Sequence, residues 1–163
     1  MNKTMILDIG TSLLILLFAY TAFDKFINYS AFEDQLYQSP LTRSFSKYLS
    51  VLLPLLELLA VILMLFPSYK KAGLLLSTLL MLMFTGYVAA VLIFIPDNNR
   101  PCSCGGIFRF LSWSQHLFLN SIFSALALIC VKTHNTLKNN ISYENPGTAV
   151  AASARGNRKP EKE

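Results

Sequence analysis

The sequence has little charge for its length. Only 14% of its 163 residues are Asp, Glu, Lys or Arg, whereas an ordinary soluble domain has about 25%. The chain is basic, with a formal net charge of +5, but its basic residues form no dense patch and are accompanied by no aromatic platform. The low total charge would also fit a compact soluble core, so the distribution of the charges decides the class of protein. The lack of a basic patch and of an aromatic platform argues against a nucleic-acid partner.

Long apolar runs take the place of the missing charge. They are approximately Met5–Phe23, Leu49–Phe66, Ala72–Ile95 and Trp113–Val131, and the third contains no charged residue at all. About 20 apolar residues are needed for a helix to cross a hydrocarbon core of about 30 Å. Because backbone groups in lipid must bond within their own segment, such runs are expected to be helical. The sequence therefore predicts an all-α integral membrane four-helix bundle spanning residues 1–131.

Four spans place both chain ends on the same side of the membrane. The first run differs from a secretory signal peptide because its apolar stretch is longer than about 15 residues. We therefore expect it to remain as a helix. The basic residues that flank the spans divide evenly between the two sides, so the positive-inside rule favours cytoplasmic termini only weakly. Residues 132–163 are polar and are predicted to form a disordered tail.

Several polar residues lie where a bilayer makes them costly, and such residues are functional candidates by default. Glu57 lies about 12 Å inside the second span at 1.5 Å per residue. The connectivity places it in the same half of the bundle as four further polar residues. The predicted polar cluster consists of Asp24, Lys25, Glu57, His116 and Asn120.

These polar residues also have structural interpretations. Lys25 and Asp24 are alternatively interfacial anchors, and Glu57 is alternatively paired with Lys25 as a lock between helices. His116 and Asn120, four residues apart on one helical face, are alternatively helix–helix hydrogen-bonding groups. Pro54 removes a helix hydrogen bond one turn before Glu57, and a kink there would turn the carboxyl inward.

Three other residues are predicted to have packing or interfacial roles. Gly86 in the third span is expected to mark close helix packing. Trp113 is expected to belong to the interfacial aromatic belt. Cys130, at the far end of the fourth span, is expected to be a small packing residue.

The segment Pro101–Gly106 contains two cysteines, Cys102 and Cys104, separated by one residue. A disulfide between them would close a small strained ring, which favours exchange over stapling. Zinc is under-supplied with ligands, because His116 is the one further candidate nearby. A redox pair, a metal site and a structural or incidental role are the three interpretations. Because disulfides persist outside the cytosol, the redox interpretation places this connection outside.

The chain resembles the MauE (methylamine utilisation) family and its DoxX-like relatives, which are four-span bacterial inner-membrane proteins. The resemblance covers residues 5–131, and its most specific element is the Cys-x-Cys-Gly segment before the last span. The matching segments are Phe23-Asp24-Lys25-Phe26, Pro54-Leu55-Leu56-Glu57, Pro101-Cys102-Ser103-Cys104-Gly105-Gly106 and Trp113–Asn120. The resemblance implies a redox-associated protein of the bacterial inner membrane that supports maturation of disulfide-containing exported proteins.

Three functions follow as hypotheses. The first is a thiol–disulfide relay in which Cys102 and Cys104 exchange electrons with an exported thioredoxin-like or disulfide-containing partner. Lys25, Glu57 and His116 would then move protons or bind a quinone that re-oxidises the pair. The second is a non-catalytic membrane subunit that scaffolds a respiratory or maturation complex. The third, small-solute or ion transport, is the least favoured because four spans leave little room for a pathway.

Overall fold

The computed structural model describes residues 3–96 and 112–144, with side chains described as far as Lys138. Five α-helices make up most of this part of the chain, and it contains no strand. They are α1 (Lys3–Ile27), α2 (Tyr29–Gln38), α3 (Ser46–Leu65), α4 (Lys70–Phe94) and α5 (Trp113–Glu144), with a 3₁₀ turn at Arg43–Phe45 before α3. The predicted all-α fold is confirmed.

Four of the helices, α1, α3, α4 and α5, are long and apolar enough to cross a membrane. They cover the four predicted runs except for Phe66 and Ile95, which directly follow α3 and α4. Large apolar side chains also cover the outside of the bundle, as at Leu16, Ile93 and Phe118, which are 69%, 75% and 69% exposed. In water such a surface would favour aggregation, but in lipid it is the expected exterior. The chain is therefore a multi-pass integral membrane protein.

The four long helices pack in a ring, in the order α1, α3, α4, α5 and back to α1. Each spanning helix starts at the end of the bundle where the preceding one stops. The end of α1, the start of α3, the end of α4 and the start of α5 thus lie together, and we call this the cavity end. The start of α1, the end of α3, the start of α4 and the later part of α5 form the opposite end.

Helix α2 lies in the connection between the first two predicted runs, where the sequence predicted no helix. Phe32 and Leu36 are buried, and their spacing of four residues places them on one face of α2. Ser50 of α3 donates a hydrogen bond to the Tyr29 hydroxyl at 3.1 Å. The charged residues Glu33 and Asp34 lie between the two buried positions and obscured this amphipathic pattern. Helix α2 packs against α3 at the cavity end.

The predicted start of the polar tail also needs correction. Helix α5 continues past Val131 to Glu144, so residues 132–144 are helical. Residues 132–144 contain no Gly or Pro, and extending an existing helix costs far less than nucleating a new one. Pro146 is the first residue that opposes helical continuation. Residues 145–163 lie outside the described residues.

Close packing at the opposite end depends on glycines other than the predicted one. A Cβ atom on Gly10 would lie 2.5 Å from the Cys130 sulfur, and one on Gly73 would lie 2.7 Å from the Met64 backbone nitrogen. A Cβ on Gly86 would meet nothing within 4 Å. The prediction that Gly86 marks close packing is therefore wrong, because Gly86 lies on an exposed face of α4. Cys130 is fully buried against Gly10, as its predicted packing role requires.

Candidate functional site

An ion pair between Lys25 and Glu57 lies within the cavity end of the bundle. Lys25 is in the last turn of α1, and Glu57 is near the middle of α3. The Glu57 side chain is 1% exposed and that of Lys25 is 15% exposed. The pair therefore joins α1 to α3 where water has little access.

The register of α3 directs Glu57 inward. The buried positions Ser50, Pro54, Glu57, Val61 and Met64 follow one another at intervals of three or four residues, which places them on one helical face. Helix α3 continues through Pro54 as a single element. Helical spacing alone is therefore enough to account for the buried position of the carboxyl group.

The two carboxyl oxygens of Glu57 have different partners. Oε1 accepts a hydrogen bond from the Lys25 ammonium group. Oε2 is buried and has no hydrogen-bond partner among the described residues. Thr21 lies beside this carboxyl, but its hydroxyl donates to the Phe18 carbonyl at 3.2 Å. One oxygen of a buried acidic side chain thus retains acceptor capacity.

Aromatic rings surround the ammonium group of Lys25. Its nitrogen lies 5.5 Å from the centroid of Phe32 in α2 and 5.0 Å from that of Phe84 in α4. Both distances are within the range of cation–π attraction. Helices α2, α3 and α4 therefore each contribute a side chain to the surroundings of this one charge.

A cavity of about 220 Å³ contains the pair. All five members of the predicted polar cluster line this cavity, so α1, α3 and α5 bring them together. They are Asp24, Lys25, Glu57, His116 and Asn120. Asp24 also accepts a hydrogen bond from the Asn28 side chain at 2.9 Å, at the junction of α1 and α2.

Sequence reasoning missed the aromatic and amide residues of the same cavity. Trp113, predicted only as a belt residue, lines it at the start of α5. Helix α2 adds Phe32 and Gln35, and α4 adds Phe84 and Tyr87. The spacing of Phe32 and Leu36 was the available signal for α2. Helix α4 is apolar on every face, so no sequence pattern distinguishes its cavity-lining residues.

Cys102 and Cys104 lie outside the described residues. The segment that contains them connects Pro96 to Ser112, and both of these residues adjoin the cavity end. Chain connectivity thus tethers the cysteine pair to the end of the bundle that holds the Lys25–Glu57 cavity.

The arrangement combines charge, hydrogen-bonding groups and apolar walls in a volume enclosed by helices. The Lys25–Glu57 pair is neutral overall, and its electrostatic effect on a bound group is strengthened by the low local dielectric. Leu17, Leu53 and Leu80 contribute apolar walls. Such a cavity suits a small, largely apolar ligand held by a few polar contacts.

A protein-family model described as "Methylamine utilisation protein MauE" matches residues 3–133. The matched range contains all of α1, α2, α3 and α4, the cysteine segment and the cavity-lining part of α5. No curated protein and no solved structure matches the chain.

Proposed function

The chain belongs to the MauE family of methylamine utilisation proteins, and we propose that it exchanges thiols and disulfides with exported proteins during their maturation. Cys102 and Cys104 form the redox pair, and the polar cavity is the intramembrane part of the same site. The observation that carries the proposal is the location of the cavity, at the bundle end to which the cysteine segment is tethered.

The exchange step is balanced without any further reactant. A thiolate of the exported partner attacks one sulfur of the Cys102–Cys104 disulfide and forms a mixed disulfide. The partner's second thiolate then attacks the sulfur that the partner contributes to the mixed disulfide, which releases the cysteine of this chain as a thiolate. The partner leaves with a disulfide, and the cysteine pair gains the two electrons and two protons that the partner dithiol loses.

The proposal also assigns the orientation of the chain. Disulfide exchange with exported proteins requires the cysteine segment to lie outside the cytoplasm. In a bacterial inner membrane, the two chain ends would then be cytoplasmic because the number of spanning helices is even. The Lys70-Lys71 start of α4 would lie on the cytoplasmic side, where the positive-inside rule favours basic residues.

Replacing both cysteines tests the proposal. In cells that carry the Cys102→Ser, Cys104→Ser double variant, we expect the exported partner to accumulate in its reduced form. A Cys130→Ala variant is the matched control, because it removes a cysteine at the opposite end. The oxidation state of the partner is measured by alkylation after acid quenching. Normal partner disulfides in the double variant would refute the proposal.

A non-catalytic membrane subunit is the second candidate. It is favoured by the Lys25–Glu57 pair, which links α1 to α3 as a structural lock would. Under this function the cysteines are expendable and the bundle surface binds another membrane protein. Co-purification of a stoichiometric partner with the double cysteine variant, without trapped mixed disulfides in the wild type, would favour this candidate over exchange.

A further inference from the structure

We propose that the cavity around the Lys25–Glu57 pair binds the headgroup of a lipid-soluble quinone. This inference rests on the proposed function for its source of electrons, but the binding site consists of described residues alone. The volume of the cavity, its polarity and its access from the lipid each limit which ligand can bind.

The volume suits one substituted six-membered ring. An engineered apolar cavity of about 150 Å³ is large enough to bind benzene. The cavity here measures about 220 Å³, which leaves room for the carbonyl oxygens and substituents that distinguish a quinone ring from benzene. Phe84, Tyr87 and Trp113 supply aromatic faces or edges along its walls, against which a planar ring packs well.

The charges favour a neutral ligand. The carboxylates of Glu57 and Asp24 would repel an anion in the cavity, and the ammonium group of Lys25 would repel a cation. A neutral ligand avoids both repulsions and leaves the Lys25–Glu57 pair intact. The Lys25 ammonium group has three N–H donors, and Glu57 accepts its only hydrogen bond among the described residues. A quinone carbonyl is an acceptor that such a donor can bind.

The Glu57 carboxyl matches the reduced form of the same ligand. Its Oε2 atom is buried without a hydrogen-bond partner among the described residues, and Glu57 lines the cavity. Leaving a buried acceptor unsatisfied costs about 1–3 kcal/mol, and more for a charged group. A quinol hydroxyl would satisfy it. The cavity thus offers a donor to the quinone and an acceptor to the quinol.

The ligand reaches the cavity from the bilayer. Met83 lines the cavity, and its side chain is also 57% exposed, so at this residue the cavity wall is also part of the outer surface of α4. A quinone dissolved in the hydrocarbon layer could therefore insert its ring while its isoprenoid tail stays in lipid. This geometry favours a lipid-borne ligand over a water-soluble one.

The reaction balances with the quinone as the oxidant. The reduced Cys102–Cys104 pair loses two electrons and two protons as its sulfur–sulfur bond forms and both S–H bonds break. The quinone gains the two electrons and two protons as two O–H bonds form, which gives the quinol. Each turnover would restore the disulfide that the exported partner consumes.

Fluorescence of the single tryptophan provides a direct binding assay. Trp113 is the only tryptophan in the chain and lines the cavity, so a bound quinone should quench it. Quinone-free protein in lipid nanodiscs is titrated with a short-tail ubiquinone, and an isoprenoid alcohol without the ring serves as the tail control. We expect saturable quenching by the quinone and none by the alcohol.

Variants then locate the site. Lys25→Met should weaken quinone binding at least tenfold. Lys70→Met is the matched control, since it removes a lysine from an ion pair at the opposite end, and it should change the affinity less than twofold. Asn120→Leu changes a cavity-lining residue, leaves the Lys25–Glu57 pair in place and should also weaken quinone binding. If Lys25→Met fails to fold, this variant tests whether the quinone binds in the cavity. Circular dichroism checks the fold of each variant.

The outcomes separate this inference from the proposed function. Non-saturable quenching that is equal in all variants, or displacement of the quinone by the tail alcohol, would overturn quinone binding. The Cys102→Ser, Cys104→Ser variant should bind the quinone as the wild type does. If that variant binds quinone but forms normal partner disulfides in cells, only the exchange function fails. If the cysteines are required and no quinone binds, only the present inference fails.

Discussion

The two ends of the bundle each contain an ion pair between helices, but the surroundings of the pairs differ. At the opposite end, Nζ of Lys70 in α4 lies 3.1 Å from Oδ1 of Asp8 in α1. The Lys70 side chain is 23% exposed and the Asp8 side chain is 69% exposed. At the cavity end, Glu57 is 1% exposed and its partner Lys25 lies among aromatic rings. A lysine–carboxylate pair is thus partly solvated at one end and buried between helices at the other.

Packing between the helices differs in the same way. Glycines at the opposite end bring neighbouring helices into close contact, with Gly10 against Cys130 and Gly73 against Met64. The cavity end contains a space of about 220 Å³ that holds a buried ion pair. The opposite end also has a cleft, lined by Pro67, Lys71 and His134 among others, but the ion pair between Lys70 and Asp8 at that end is partly solvated. This contrast is the structural basis for assigning function to the cavity end.

Removing one charge from each ion pair should give the largest difference in unfolding free energy between the two ends. Glu57→Leu leaves the Lys25 ammonium group buried without its partner, which should cost about 3–5 kcal/mol of unfolding free energy. Asp8→Asn should cost only about 0–1 kcal/mol, as for exposed pairs. Unfolding in mixed micelles by titration with sodium dodecyl sulfate measures both values.

The double variant Lys25→Met, Glu57→Leu controls for this effect. Replacing both buried charges by apolar groups should recover most of the lost stability. Equal losses for Glu57→Leu and Asp8→Asn would contradict the distinction between an enclosed and a solvated pair.

An intermediate loss of unfolding free energy is expected from adding a methyl group to a closely packed glycine. Gly73→Ala places a Cβ 2.7 Å from the Met64 backbone nitrogen and 3.0 Å from the Leu63 carbonyl carbon. Because backbone atoms cannot rotate away, we expect a loss of about 1–3 kcal/mol. Thermal unfolding in detergent, followed by circular dichroism, measures the change.

Gly86→Ala is the matched substitution in the same helix. Nothing lies within 4 Å of its added Cβ, and alanine favours a helix over glycine by about 1 kcal/mol. This variant should therefore be unchanged or slightly more stable. A greater loss at Gly86 than at Gly73 would show that the close contacts have been assigned to the wrong glycine.

The smallest effect is expected at the hydrogen bond between α4 and α5. The hydroxyls of Thr85 and Ser124 lie 2.9 Å apart, and such bonds in membrane proteins contribute about 0.6 kcal/mol on average. Thr85→Val should cost about that much. Ser121→Ala removes an exposed hydroxyl that is bonded within α5 and should cost less. A larger loss for Ser121→Ala than for Thr85→Val would show that the Thr85–Ser124 hydrogen bond does not stabilise the pairing of α4 and α5.

The sequence predicted the spanning helices well because their signal is long and apolar. It did not predict which faces of those helices meet, since a helix that is apolar all round has no stripe to indicate its buried side. Glycine illustrates this limit. Gly10, Gly73 and Gly86 are the same residue in similar apolar runs, and only the packing distinguishes the two in close contact from the exposed one.

The polar part of the site was predictable for a different reason. Lys25, Glu57, His116 and Asn120 stand out because polar groups are costly in lipid, and counting residues along the spans placed them in one half of the bundle. Phe84 carried no such signal, because an aromatic residue in an apolar helix is common. Phe32 carried only the weak signal of its spacing from Leu36, which Glu33 and Asp34 obscured. Their place beside Lys25 depends on how α2 and α4 pack, which a single sequence does not reveal.

Thiol trapping in intact cells tests most directly the claim that the cavity end carries an external redox pair. Cells are treated with a membrane-impermeant maleimide before and after an impermeant reductant, and labelling of Cys102 and Cys104 is measured in a Cys130→Ala background. The account predicts no labelling before reduction and labelling of both cysteines after it, without permeabilisation. Labelling before reduction, or labelling that requires permeabilised cells, would contradict it.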